Sequence, residues 1–120
     1  MPVASWWTSL FEVVDTKNTE AFLDLLTPDA EFRFANARSA CGRAAIGESV
    51  GGFFQAIGSS AHTVNRTWQD NDSAVCEGEV TYTRLDGSTL TVPFANVFYL
   101  RNGLIARYLI FADVSELFDV

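Results

Sequence analysis

The most telling features of this 120-residue chain are its shortages. Basic residues are scarce, 8 against 15 acidic, which leaves a formal net charge of −7 and no basic cluster. A nucleic-acid surface needs a positive stripe to displace condensed counterions, so nucleic acid is excluded as a partner, and an anionic membrane surface with it. A neutral or cationic small ligand stays open. Cysteine occurs twice, at Cys41 and Cys76, too few for a disulfide framework or a four-ligand zinc site, and reads as reduced thiol in a cytoplasmic protein. No stretch approaches the ~20 apolar residues of a membrane span, and no basic segment followed by a long apolar run opens the chain. The single histidine is His62. With no metal cluster, phosphate loop or nucleophile elbow in view, the expectation is a protein that uses no cofactor and no metal. Repeats, low-complexity tracts and linkers are also missing, and the length suits one domain over residues 1–120 with a real core and a small-molecule pocket.

What is present alternates. From Ala61 to Asp113 apolar and polar residues follow a period of two, broken by Asp70-Asn71-Asp72-Ser73, Leu85-Asp86-Gly87-Ser88 and Arg101-Asn102-Gly103. Such turn signals predict a four-stranded antiparallel meander. Its strands run from His62 to Gln69, Val75 to Arg84, Leu90 to Arg101 and Leu104 to Asp113. With Asn71-Asp72 as the two loop residues, Gln69 faces Ala74, Arg66 faces Glu77, Val64 faces Glu79 and His62 faces Thr81. Before the meander, Trp6, Trp7, Leu10, Phe11, Val13 and Val14 fall at helical spacing between Ser5 and Asp15. Core packing is the favoured role for the two tryptophans over lining a ligand. Asn18 is the N-cap of a second helix, Thr19 to Leu26. Ala30 to Phe34 is a short strand at the sheet's edge, with Phe32 and Phe34 on one side. A third helix, about Arg43 to Ile57, carries an apolar stripe of Ile46, Val50, Phe53, Phe54 and Ile57. Gly47, Gly51 and Gly52 weaken it by about 1 kcal/mol each relative to Ala, with close packing favoured over a mobile lid as their reason.

This order of elements resembles the nuclear transport factor 2-like, or SnoaL-like, superfamily. The resemblance is carried by Leu25-Leu26-Thr27-Pro28-Asp29-Ala30-Glu31-Phe32, by Gly42-Arg43-Ala44-Ala45-Ile46, by Asn102-Gly103-Leu104-Ile105 and by Phe111-Ala112-Asp113. It implies a cone-shaped, cystatin-like α+β fold, three N-terminal helices on a curved, mainly antiparallel sheet with an internal pocket, and back-to-back sheet homodimers. Its members include polyketide cyclases, ketosteroid isomerases, epoxide hydrolases and non-catalytic binding domains, so the fold does not choose a function. Where the isomerases carry a general base and an oxyanion-hole Asp, this sequence has Phe34 and Val92. At the positions of the epoxide hydrolases' Asp-Arg-Asp set and its Tyr and Asn stand Glu79, Glu77, Ile110, Phe32 and Phe34. Only Glu79 keeps the chemistry of its counterpart, so neither mechanism carries over.

Strand parity places Glu77, Glu79, Phe94, Asn96 and Tyr108 on the concave side, with His62, Arg66 and Trp68 beside them. A carboxylate in an apolar cavity has its charged form disfavoured and becomes useful for acid-base work. Glu79 is therefore the expected catalytic group, with His62 sharing or relaying its proton. Arg66 is expected to pair with Glu77, and that pair also reads as a device fixing register. Asn96 and Tyr108 are expected to donate to a substrate oxygen, between apolar walls of Phe32, Phe34, Trp68 and Phe94. Asp113 stands where the family motif ends in Asp and is a third catalytic candidate, although Asp113-Val114-Ser115-Glu116 also has the spacing of a helical cap. The expected function is acid-base isomerisation, cyclisation or hydrolysis of an apolar carbonyl or polycyclic compound. The alternative is a non-catalytic ligand-binding or dimerisation module.

Overall fold

Hydrophobic spacing and turn chemistry give the elements of the computed structural model, which describes residues 5–118, with Ser5 and Trp6 by backbone alone. In chain order they are α1 (Ser5–Asp15), α2 (Thr19–Asp24), β1 (Leu26–Phe34), β2 (Ala40–Cys41), α3 (Arg43–Ala56), β3 (Ser59–Asp70), β4 (Ser73–Thr83), β5 (Thr89–Arg101) and β6 (Leu104–Ala112). The Asn18 side chain accepts the Ala21 amide and so caps α2 as expected. One six-stranded sheet has the order β2-β1-β6-β5-β4-β3. All its pairs are antiparallel except β1 with β6. The helices cover the concave face of this curved sheet, an α+β cone of the cystatin-like kind. Among the described residues, no helix is long and apolar enough to cross a membrane.

Two expectations about β1 change. It begins at Leu26, directly after α2, rather than at Ala30, and it is interior rather than at the edge. The edge is β2, two residues that pair with Glu31 and Phe32. No periodicity can announce a strand that short.

The core lies between helices and sheet, where Leu10, Phe22, Leu26, Ile46, Ile57, Val80, Phe98 and Leu117 are completely or almost completely buried. Trp7 belongs to it, edge-on to Phe98 at 5.2 Å between ring centres. The Trp6 side chain lies outside the described residues. Of the helix glycines, only Gly47 is tightly packed, since a Cβ there would lie 3.1 Å from Leu23 Cδ1, whereas one at Gly52 would meet nothing within 4 Å.

The largest correction concerns register. Gln69 does face Ala74 and Arg66 does face Glu77, but between Arg66 and Val64 the pairing shifts by one. Asn65 is the extra residue of a β-bulge, so Val64 pairs with Gly78 and His62 with Val80. On β4 the residues turned inward are Ala74, Cys76, Gly78, Val80 and Tyr82, while Glu77 and Glu79 are exposed on the outer face. The bulge divides β3 in the same way: His62 and Val64 face the helices, and Arg66 and Trp68 lie with Glu77 and Val75 on the outside.

Glycine at position 78 makes this crossing possible, because a Cβ there would sit 1.8 Å from the Thr63 carbonyl oxygen. Gly78→Ala must push the two strands apart and should destabilise the protein by about 2 kcal/mol or more, the scale of overpacking in a closed site. Urea unfolding checks this, and a change under about 0.5 kcal/mol, the range of neutral surface substitutions, contradicts the bulge geometry.

Candidate functional site

Between the helices and the concave face lies a cavity of about 70 Å³. Aromatic rings dominate its wall: Phe22 from α2, Phe32 and Phe34 from β1, Phe53 and Phe54 from α3, Tyr82 from β4 and Tyr108 from β6. Val14, Val50 and Ile110 fill the gaps, and Ser49, Ser60 and His62 add the remaining polar groups.

His62 is held from several directions. Its Nδ1 lies 2.6 Å from Asp15 Oδ1, and its backbone N–H donates to Asp15 Oδ2 at 2.9 Å. Ser60 Oγ donates to the same Oδ1 at 2.8 Å. The imidazole stacks on Phe11 with 4.6 Å between ring centres and meets Phe94 edge-on at 5.3 Å. An ionised carboxylate can only accept, so the proton of the short contact sits on Nδ1, and Nε2 is the nitrogen left for a ligand. No hydrogen bond to Nε2 is found among the described residues.

Asp15 is the last residue of α1, where the negative end of the helix dipole opposes a carboxylate. Its burial acts to raise its pKa, yet the hydrogen bonds and charge of His62, together with Ser60, outweigh this and hold it below the ordinary 3.8. Two residues on, Lys17 Nζ donates to the carbonyls of Phe54 and Ile57 at 3.2 and 3.1 Å. The α1–α2 turn is thereby tied to β3 through Asp15 and to the end of α3 through Lys17.

Two phenols complete the polar side. Burial, with the charge of Asp15 adding to it, pushes Tyr82 up to about 12. Burial pushes Tyr108 well above its ordinary range, and its Oη accepts from Asn96 Nδ2 at 3.4 Å. Both phenols stay protonated and able to donate near neutral pH. The same desolvation raises the buried Cys76 thiol to about 12, which leaves it a poor nucleophile.

The structure brings together only part of the predicted set. Phe32, Phe34, His62 and Tyr108 line the cavity. Phe94 packs on the His62 ring, and Asn96 is buried with its amide on Tyr108. Glu79, Glu77, Arg66 and Trp68 are on the other face of the sheet, because β4 presents its small and apolar residues to the core. Arg66 and Glu77 are cross-strand neighbours, but no salt bridge between them is found among the described residues. Asp113 is exposed and accepts the Ser115 amide at 3.0 Å. That bond and the Ser115 hydroxyl lower its pKa, as in a local turn cap. Among the described residues, no group of three or more His, Cys, Asp or Glu is placed to hold a metal ion.

Sequence reasoning missed Asp15, Ser60 and Tyr82. The correct parity of β4 would have found Tyr82. Asp15 lies 47 residues from His62, and as the closing residue of an apolar helix it carries no local signal of its partner.

A cone of helices over a curved sheet, with an aromatic cavity reached by one oriented histidine, defines the class of fold. The chain belongs to the SnoaL-like domain family, which matches residues 7–108. Among solved structures it is similar to TerC co-crystallised with polyporic acid, at 19% identity and TM-score 0.80, covering 94% of this chain and 92% of that one. An NTF2-like protein of unknown function from Burkholderia pseudomallei K96243 is 15% identical with TM-score 0.84, covering 94% and 92%. A protein of ketosteroid isomerase-like fold from Catenulispora acidiphila DSM 44928, in complex with trimethylamine, is 16% identical with TM-score 0.83, covering 92% and 86%. No curated protein matches the sequence.

The lowered Asp15 pKa has a pH signature. A carboxyl whose folded pKa is depressed adds stability that is fully present above its unfolded value, near 3.8, and is lost as pH falls through the folded value. Asp15→Asn should therefore lower the urea midpoint at neutral pH, and the gap to the unmodified protein should narrow as pH falls below 4. A gap that stays constant or widens on acidification contradicts the assignment.

Proposed function

We propose that this protein binds a small, largely apolar, carbonyl-bearing molecule and catalyses proton transfer on it without a cofactor, with His62 as the acid-base group. The observation that carries this reading is His62, fixed by Asp15 in one orientation at the wall of an aromatic cavity. In this role Nε2 of the imidazole takes a proton from the carbon next to the carbonyl, while Asp15 stabilises the imidazolium that forms. Tyr82 and Tyr108 are the donors available to the developing oxyanion. The imidazolium then returns the proton at a new carbon, which completes an isomerisation; for ring closure the enolate carbon instead attacks a second carbonyl carbon of the same molecule, and the imidazolium gives its proton to the alkoxide that forms. The organic molecules bound by TerC and by the Catenulispora protein, polyporic acid and trimethylamine, support small-molecule binding as the general role.

Cavity size favours a second reading. At about 70 Å³ it is roughly half the ~150 Å³ of an apolar cavity that takes up benzene. A polycyclic compound does not enter it without movement of the wall. A non-catalytic module that binds a molecule of a few atoms is consistent with that size. Once a substrate is found, His62→Gln should reduce turnover by roughly 10²-fold or more, the scale of general acid-base catalysis, with Asp15→Asn next in severity. Glu79→Gln, on the outer face, should leave turnover within twofold. Equal activity of His62→Gln and the unmodified enzyme sinks the catalytic reading and leaves the module.

We also propose a homodimer through the outer sheet face, in the cytoplasm, where the unbridged Cys41 and Cys76 stay reduced. Trp68, Tyr99 and Phe111 are 48%, 41% and 56% exposed there, and exposed aromatic sheet of this kind meets a partner. Arg66 and Arg107 share the face with Glu77 and Glu79, so a two-fold arrangement can set opposite charges against each other. Analytical ultracentrifugation at tens of micromolar should show a dimer that Phe111→Glu dissociates, and a monomer at that concentration removes the interface.

A further inference from the structure

We infer that Phe53 sets the upper size limit of what the cavity admits, an inference that rests on the cavity being the ligand site. Most of its aromatic wall, including Phe22, Phe32, Phe54, Tyr82 and Tyr108, is buried. Phe34 and Phe53 are only half-buried, and of these two Phe53 lies on α3 one turn from Ser49, an exposed residue of the same wall. It is therefore placed between the cavity and solvent. Its ring bridges four parts of the fold: from α3 it meets Phe34 of β1 at 4.9 Å, Tyr82 of β4 at 5.8 Å and, in the C-terminal segment, Phe118 at 6.3 Å.

That C-terminal segment is itself fastened. Arg84 donates to the carbonyls of Leu117 at 2.8 Å and Glu116 at 3.0 Å, and Leu117 is fully buried. Phe118, 56% exposed, is thus held as a backstop against the outer side of Phe53. A side chain packed on both sides cannot swing aside freely, since close-packed interiors resist displacement by even a methylene. The space behind it is about 70 Å³, room for about three non-hydrogen atoms on the scale of a ~150 Å³ cavity that holds the six carbons of benzene, so acetone with its four is near the limit and a ring is beyond it. Replacing Phe53 by Ala removes one six-carbon ring, the same volume as the ring that it keeps out.

The test uses two methyl ketones that differ in a ring, acetone and acetophenone, titrated into the full chain while the methyl resonances of Val14, Val50 and Ile110 are followed by NMR. The unmodified protein should show saturable shifts with acetone and none with acetophenone. Phe53→Ala should bind acetophenone at least tenfold more tightly than the unmodified protein does. Phe53→Leu, which keeps an apolar contact on α3 and guards against loss of folding, should fall between them, and Phe118→Ala should give a smaller gain with acetone binding unchanged. Acetophenone binding by the unmodified protein as tight as by Phe53→Ala overturns the size limit while leaving the cavity a ligand site. The same holds for folded Phe53→Ala and Phe53→Leu proteins that bind acetone and gain nothing for acetophenone. If neither ketone gives saturable shifts in any of these proteins, the ligand site itself is wrong and the size limit falls with it.

Discussion

The site depends on one extra residue in one strand. Asn65 has no counterpart on β4, and around it the β3 backbone comes so close to Gly78 that no side chain fits between them. A strand alternates its faces at every residue, so a single insertion reverses everything beyond it. Without the bulge, the parity that sends Arg66 and Trp68 outward would send His62 outward as well. With it, the exposed half of β3 continues the outer surface, and the other half delivers Ser60, His62 and Val64 to the helices.

Once His62 points inward, its imidazole needs a partner, and the helix end supplies one. The Asp15 carboxylate would be poorly placed at the C-terminus of α1 if it stood alone, since both burial and the helix dipole oppose its charge. Three donors from two residues of β3 reverse that balance. The interaction that orients the histidine is therefore also the one that fastens α1 to the sheet, and Lys17 extends the same turn to the end of α3. The result is an apolar cavity whose few polar groups converge from strands and helix ends distant in sequence, an economical arrangement for holding one polar group of a ligand.

Local chemistry was sufficient for most of the fold. The bounds of α1 and α3, the Asn18 cap, the three hairpin turns of the meander and the inward faces of β5 and β6 were all legible, because each follows from spacing or from residues that tolerate turn conformations within a few positions. Phe32, Phe34 and Tyr108 could be placed at the cavity for the same reason, whereas His62 reaches it only through the bulge, since alternation alone keeps it on one face with Arg66 and Trp68. Three features had no such signal. The two-residue β2 is too short for a period, the parallel pairing that makes β1 interior joins segments separated by most of the chain, and the Asp15–His62 contact spans 47 residues.

The sequence by itself determined an acidic, single-histidine α+β chain with a meander, an aromatic-rich interior and SnoaL-like order of elements. Only the tertiary structure decided which carboxylate lies beside His62. By alternation alone, Glu77 and Glu79 were as able to face inward as Ala74, Cys76, Gly78 and Val80. Burial settles that contest, since two carboxylates in an apolar core without partners cost far more than exposing the small and apolar set. Glu77 and Glu79 therefore went to the surface, and the carboxylate on His62, at the cavity wall, is Asp15, whose three donors exist only after α1 has packed on β3.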